Sequence, residues 1–551
     1  MAVSRRRFLA ASAATSALTT LPVAAARADT AAAPLASPPG DVVGKITVGY
    51  QGWFAATGDG SPINAWWHWS NNWGQPPSPS NNAIKSWPDN RDYTRTYTTA
   101  YPNLGNGQPA TLFSSHDAQT VDTHFRWMRE NGIDTAALQR FNPTGGEGPV
   151  RDAVTARVRT AAEAQGRKFY IMYDVTNWTN MQSEIKADWT SKMAAYTSSP
   201  AYARQNGRPV VGIWGFGFND AGRPWPPGPC LDVINWFKAQ GTYVMGGVPT
   251  HWRSGNQDSR AGFADVYRAF NMISPWMVGR IGDIAGTDNF YQNVNLPDQA
   301  ECNARGIDYQ PCVLPGDLQE RQRAHGDFMW RQFYNMVRVG AQGIYISMFD
   351  EYNEGNQIAK TAENASQVPA GSGILALDED GTACSSDYYL RLTGDGGRML
   401  KGQIPLTATR PTRPVLSTSP TTVVSLRARI NGQYVAAENG GAAPLIANRA
   451  AAGTWERFDL GDVGGGNVTL RAHANGLYVS AADAGASPLI ASQPVAQSWE
   501  TFQLVRNGNG SVSLRAQVNG QYVTAENAGA APLVANRAAI GPWEQFDLIT
   551  G

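Results

Sequence analysis

The sequence is short of charge. Lys+Arg and Asp+Glu number 45 each in 551 residues, and charged residues make up only 16 % of the chain. No basic block breaks the balance, so there is no electrostatic reason to bind nucleic acid, whose phosphates are held by clustered cations. Cysteine is scarce too. Cys230, Cys302, Cys312 and Cys384 fall at spacings that fit no zinc site, so neither a metal nor an organic cofactor is expected. Past the N-terminus, no stretch is apolar enough to span a bilayer. What is abundant is Gly (57), Tyr (20) and Trp (18). The length calls for two or more domains.

The N-terminus has an ordered pattern. Ser4-Arg5-Arg6-Arg7-Phe8-Leu9 is a twin-arginine sequence, followed by an Ala/Leu/Val stretch and by Ala26-Arg27-Ala28, an A-x-A-type cleavage site before Asp29. Residues 1–28 are therefore expected to be an export signal of a bacterial, extracellular protein. The stretch is too short and alanine-rich for a retained membrane anchor. Residues 29–43, rich in Ala, Pro and Ser, are expected to be flexible. Outside the cytoplasm disulfides are allowed, and four cysteines permit three pairings. Cys302 with Cys312 is the local choice, which leaves Cys230 with Cys384; buried free thiols are the alternative.

From residue 44 to 402 short apolar runs alternate with helical periodicity. The candidate strands are Ile46–Phe54, Thr135–Phe141, Lys168–Val175, Pro209–Phe216, Thr242–Val248, Met272–Arg280, Tyr309–Leu314 and Gly343–Phe349. Between them, Val121, Phe125 and Met128 repeat at helical spacing, as do Val154, Val158, Ala161 and Ala162, and Met329, Phe333, Met336 and Val337. Eight such alternations predict an α/β fold, the (β/α)₈ or TIM barrel. A doubly wound sheet is the alternative, but no glycine-rich dinucleotide fingerprint follows a strand.

Residues 403–422, with Pro405, Pro411, Pro414 and Pro420, read as a linker. Residues 423–551 then repeat. Ser425–Leu460, Thr469–Leu504 and Ser513–Leu548 align without gaps, sharing Asn-Gly-x-Tyr (Tyr434, Tyr478, Tyr522) and Trp-Glu-x-Phe (Trp455, Trp499, Trp543). Three copies rich in short strands and Asn-Gly turns predict an all-β β-trefoil.

A barrel carries its chemistry at the C-terminal ends of its strands. Those ends hold Tyr50 and Trp53, then Arg140, then Tyr173 and Asp174, Trp214, His251 and Trp252, and Arg280. The first loop adds Trp66, Trp67 and His68, and strand eight runs into Asp350-Glu351-Tyr352-Asn353-Glu354-Gly355-Asn356-Gln357. Indoles stack on the apolar faces of sugar rings, while Arg140, Arg280, Asp174, Asp350, Asn353 and Gln357 offer partners for hydroxyls. Glu351 and Glu354 are the sharpest pair. Cleaving a glycosidic bond takes one carboxyl group to protonate the leaving oxygen and a second group as base or nucleophile. The competing reading of the pair is two acidic side chains offsetting a helix dipole.

Residues 350–358 resemble the Asn-Glu-Trp-x-Glu-Gly-Thr-Gln-Ile motif of glycoside hydrolase family 99, the endo-acting α-mannosidases related to the family 71 α-1,3-glucanases. Gly49-Tyr50-Gln51-Gly52-Trp53-Phe54 is similar to that group's first-strand motif. The resemblance implies a retaining, metal-free reaction. Glu351 would deprotonate the substrate 2-hydroxyl, which closes a 1,2-anhydro sugar, and Glu354 would protonate the leaving group and then activate water. The chain departs from the motif at Asp350, Tyr352 and Asn356, which bears on the substrate. The repeats resemble the fascin-like trefoils of secreted glycosidases and lack the Gln-x-Trp signature of ricin-type lectins. The reading is a secreted, monomeric glycoside hydrolase acting on an α-linked oligo- or polysaccharide. The alternatives are an α-1,3-glucanase, a pentose- or deoxysugar-specific hydrolase, and a non-catalytic glycan-binding protein.

Overall fold

The computed structural model describes residues 37–415, 422–464, 466–493, 496 and 498–550. The expected export signal lies outside the described residues. Eight parallel strands form the first domain: β1 Ile46–Tyr50, β2 Thr135–Arg140, β3 Lys168–Asp174, β4 Arg208–Trp214, β5 Tyr243–Pro249, β6 Met272–Trp276, β7 in two pieces and β8 Ile344–Ile346. β1 pairs with both β2 (Thr47 beside Thr135) and β8 (Ile46 beside Ile344). The ring closes through β7. Its first piece, Asp308–Tyr309, pairs with β6, and its second, Cys312–Val313, pairs with β8. Pro311, between them, has no N–H to give a neighbouring strand, although its carbonyl accepts from Tyr345 N at 3.1 Å.

Helices cover the ring. After β1 comes α1 (Ala118–Glu130), and after β2 α2 (Gly148–Gln165), which buries Val154, Val158, Ala161 and Ala162. α3 (Met181–Asp188), α4 (Pro227–Ala239) and α5 (Ala264–Arg268) follow β3, β4 and β5. After β6, α6 (Ile284–Phe290) and α7 (Leu296–Arg305) are joined by one π-helical turn. α8 (Asp327–Val339) and α9 (Tyr388–Leu400) follow β7 and β8. Strands buried on both faces read as continuous apolar runs, and all six residues of β2 are buried. Among the described residues, no helix is long and apolar enough to cross a membrane.

Both segments expected to be loose are packed where the structure describes them. Val42 and Val43 are buried, and Ser37 N bonds to Asp308 Oδ1 at 3.0 Å. Past α9, Thr407 O accepts from Trp330 Nε1 (3.1 Å), Arg413 O from Arg391 (2.9 Å), and Arg410 pairs with Asp327 (2.7 Å). Residues 403–415 thus form a seam on α8 and α9, because their carbonyls satisfy donors that those helices bury.

Among the described residues the second domain has twelve strands, four per repeat. The outer strands of the repeats form a closed ring, in which Thr422–Ala428 pairs with Phe546–Thr550. Its core is threefold: Leu426, Leu470 and Leu514; Leu445, Leu489 and Leu533; Phe458, Phe502 and Phe546. Tyr434, Tyr478 and Tyr522 lie outside that core, each under an arginine, with Arg427, Arg471 and Arg515 at 5.9, 5.9 and 5.8 Å from the ring centres.

The second repeat meets the barrel. Arg398 of α9 stacks over Trp499 at 5.3 Å and donates to Ser498 Oγ at 3.3 Å. Gln493, Trp499 and Glu500 share a crevice with Glu130, Asn131 and Lys401. Lys401 pairs with Asp134, which also accepts from Ile46 N at the start of β1. The trefoil therefore sits at the N-terminal rim of the strands, opposite the end where chemistry is expected.

The cysteine pairing is corrected. Cys230, Cys302, Cys312 and Cys384 are all buried free thiols. Cys302 lies in α7 and Cys312 opens the second piece of β7, where its sulfur lies 3.8 Å from Ser274 Oγ, so the ten-residue spacing does not bring the two together.

Candidate active site

Side chains alternate faces along a strand, and that parity decides what the barrel mouth presents. Gly49 on β1 faces inward, since a Cβ there would strike Met348 and Tyr345. Gln51 and Trp53 follow in the same register. On β2 Gln139 faces inward with Phe141 beyond it, on β3 Met172 and Asp174, and on β4 Trp214. With Trp67, His68, Glu147, Arg223, Trp276, Tyr345, Glu351 and Glu354 they enclose a cleft of about 600 Å³.

Glu351 is 5 % exposed. Gln51 Nε2 donates to its Oε2 at 2.6 Å, while its Oε1 is buried without a partner. Burial, then the negative charge of Glu354, hold its carboxyl well above the usual carboxylate range. Glu354 is reached by solvent through the cleft, yet the surrounding protein still raises its carboxyl, against the pull of Lys85 and a hydrogen bond with Asn356. Both carboxyls thus favour their protons more than free glutamate does.

Asp350 points away from the cleft. It accepts from Gln51 N (2.7 Å) and Gly52 N (2.8 Å), tying the end of β1 to the loop after β8. Burial pushes it up to about 6. His68 stacks on Trp53, ring centres 3.9 Å apart, at a φ of 61°. That left-handed backbone is uncommon for a non-glycine residue and implies local strain. Asn353 holds it, donating to His68 O (2.7 Å) and Ala83 O (2.9 Å). Burial, then Arg151, drive the His68 imidazole well below its ordinary value. Its Nε2 and the Trp214 Nε1 are buried without protein partners. Asp174, also raised by burial, accepts from Thr176.

Several expected site residues stand elsewhere. Tyr50 points outward to His124 Nδ1 (2.9 Å). Arg140, 1 % exposed, and Tyr173 both bond Asp188, at 2.6 Å from Arg140 Nε and 2.8 Å from the Tyr173 hydroxyl, behind the barrel wall. Trp66 is buried. His251 Nδ1 meets Asp258 at 2.7 Å, Arg280 meets the same carboxylate at 3.2 Å, and Trp252 Nε1 bonds Asp298 at 2.9 Å. Gln357 is buried between Ser86 and Thr361. None of these lines the cleft.

Other lining residues were not singled out from the sequence. Glu147 lies on the loop after β2, held by Arg151 at 2.9 Å and by Trp67 Nε1 at 3.3 Å. Arg223 lies on the loop after β4, 4.5 Å over Trp214. Among the described residues no cluster of His, Cys, Asp and Glu could hold a metal ion.

A family described as a domain of unknown function, DUF7910, matches residues 420–517. No curated protein matches the chain. Among solved structures, it is similar to a GH99 endo-α-mannosidase from Bacteroides thetaiotaomicron (15 % identity, TM-score 0.46, covering 66 % of this chain and 98 % of that one). The designed threefold-symmetric protein ThreeFoil matches at 24 % identity and TM-score 0.22, over 23 % of this chain and 97 % of its own. A Polyporus squamosus lectin matches at 16 % and 0.22, over 24 % and 50 %.

Proposed function

We propose that the protein is an exported glycoside hydrolase, endo-acting and retaining, that cleaves an α-linked oligo- or polysaccharide. The observation that carries this reading is the pair Glu351 and Glu354, both with raised carboxyls, in one cleft walled by Trp53, Trp67, Trp214 and Trp276. Indole faces fit sugar rings, and the partnerless Trp214 Nε1 and His68 Nε2 are suited to hydroxyls. The motif at residues 350–358 supports the roles. Export is supported by the twin arginine at Arg5 and Arg6.

In this reading Glu351 takes the proton of the sugar 2-hydroxyl, and O2 attacks C1. As the C1–O2 bond forms, the glycosidic C1–O bond breaks and the leaving oxygen receives the proton of Glu354. The Glu354 carboxylate next takes a proton from water, whose oxygen attacks C1. The C1–O2 bond opens, and O2 recovers its proton from Glu351. Two inversions at C1 give net retention. Gln51, donating to Glu351 Oε2, fixes the orientation of the base.

The test is release of reducing ends from a panel of α-mannans and α-glucans. Glu354→Gln should lower kcat by about 10²–10⁴, and by less on an aryl glycoside whose leaving group hardly needs a proton. No product from any member of the panel, or kcat unchanged in the variant, would refute the assignment.

A further inference from the structure

The three trefoil repeats differ at one cluster of surface positions. The first carries Glu438, Asn448 and Arg449, and the third carries Glu526, Asn536 and Arg537. The second has Ala482, Ser492 and Gln493 there. In the first repeat Arg449 pairs with Glu438 at 2.7 Å and reaches Glu456 at 3.8 Å, beside Trp455, which is 38 % exposed. In the third, Arg537 pairs with Glu526 at 2.8 Å, and Asn536 donates to the same oxygen at 2.7 Å. In the second repeat Gln493, at the place of the arginines, lies at the crevice by the barrel that Trp499, Glu500 and Lys401 also line.

We propose that the first and third repeats each carry a glycan-binding site and that the second, its charged pair removed, serves as the dock to the barrel. The chemistry favours a neutral polyhydroxylated ligand. Each patch has an Arg–Glu pair whose charges cancel and an asparagine amide, and each repeat adds an indole, Trp455 next to Glu456 in the first and Trp543 at the matching position of the third, so that a stacking face and both donors and acceptors are on offer. The choice of glycan rests on the reading of the cleft as a sugar site. Two sites on one rigid domain bind a polymer surface together, which raises retention by about 10²–10⁴ over either alone.

The full chain bearing Glu354→Gln should be retained on insoluble α-mannan or α-1,3-glucan. Adding Arg449→Ala should weaken retention about 100-fold or more, and adding Arg537→Ala as well should abolish the trefoil's share. Trp455→Ala with Trp543→Ala, which spare the ion pairs, should do the same if the arginine variants misfold. Retention unchanged in both double variants would overturn the proposal, as would a chain that neither particle retains. Reducing ends released from soluble oligosaccharide by the unsubstituted protein, measured alongside, keep the two readings apart. Activity without retention refutes the trefoil sites and leaves the cleft standing.

Discussion

At the barrel mouth Glu351, His68 and Trp214 bury polar atoms that no protein group answers. In the trefoil one asparagine recurs in every repeat, half-buried in the first and third and exposed in the second, and it is answered each time. Asn431, Asn475 and Asn519 donate to Ala447 O, Ala491 O and Ala535 O at 2.8, 2.7 and 2.8 Å. Their side-chain oxygens accept from Gln433 N, Leu477 N and Gln521 N. A buried polar atom without a partner is costly. Where a fold tolerates several in one concavity, a ligand can supply the missing partners. Where each is matched by symmetry, its work is done by the fold itself. In the proposed function, polar groups serve recognition in one region, while in the other they serve architecture.

Variants can break that contrast. The largest effect is expected at Glu351. Glu351→Gln keeps the shape and the contact with Gln51 but cannot accept a proton, so kcat should fall by at least about 100-fold. Burial already disfavours the charged carboxylate, so thermal unfolding should show no loss of Tm. A fall in Tm together with intact kcat would make Glu351 an architectural group.

Next come neighbours on β2. Arg140→Ala strands the buried Asp188 and should cost about 3–5 kcal/mol in denaturant unfolding, with KM unchanged while the protein is folded. Gln139→Ala, one residue away and facing the cleft, should cost at most about 1.5 kcal/mol but raise KM. An exchange of these outcomes would invert the parity assigned to the strand.

Asp350 ties β1 to the loop after β8, and its sign is opposite to that of a salt-bridged aspartate. Its value rises from ~3.9 in the unfolded chain to about 6 in the fold. Its contribution is therefore fully present below pH ~4 and is lost as pH climbs to about 6, a loss of about 3 kcal/mol. Asp350→Asn should remove that component. Relative to the variant, the wild type should lose stability between about pH 4 and pH 6, read from unfolding curves across that range. A constant difference would show that Asp350 does not titrate there.

The smallest effects test the symmetry. Asn431→Ala and Asn519→Ala, at half-buried positions, should each cost about 1 kcal/mol, the two alike in urea melts of the full chain, and Asn475→Ala, at an exposed one, no more. A discordance between the first and third values would mean that those repeats share sequence but not load.

Much of the fold could be read in advance because parallel strands buried on both faces leave unbroken apolar runs. Each of the eight expected strands overlaps an observed one. The break in β7 follows from Pro311, a residue visible in the sequence. The cleft was less legible. Asp174, Trp53 and Trp214, expected from strand ends, line it, as do Trp67 and His68 from the first loop and Glu351 and Glu354 from the segment after strand eight. Tyr50, Arg140 and Tyr173 also stand at strand ends, but on the wrong face. Gly49 carried the missing signal, since a glycine amid bulky strand residues marks the crowded inner face and fixes the parity of the residues after it. Glu147 and Arg223 come from irregular loops, where no periodicity says which way a side chain turns.

The four unbridged thiols have a practical side. Because no covalent link holds the fold together, a reducing agent has nothing to cut, and the chain needs no oxidant to finish folding. Burial pushes Cys230, Cys312 and Cys384 each up to about 12, so almost none of the nucleophilic thiolate exists at neutral pH. Cys230 lies on α4, Cys302 on α7, Cys312 on β7 and Cys384 just ahead of α9. An alkylating reagent would find them only while that part of the wall was open, which makes the cysteines native gauges of how often the barrel breathes.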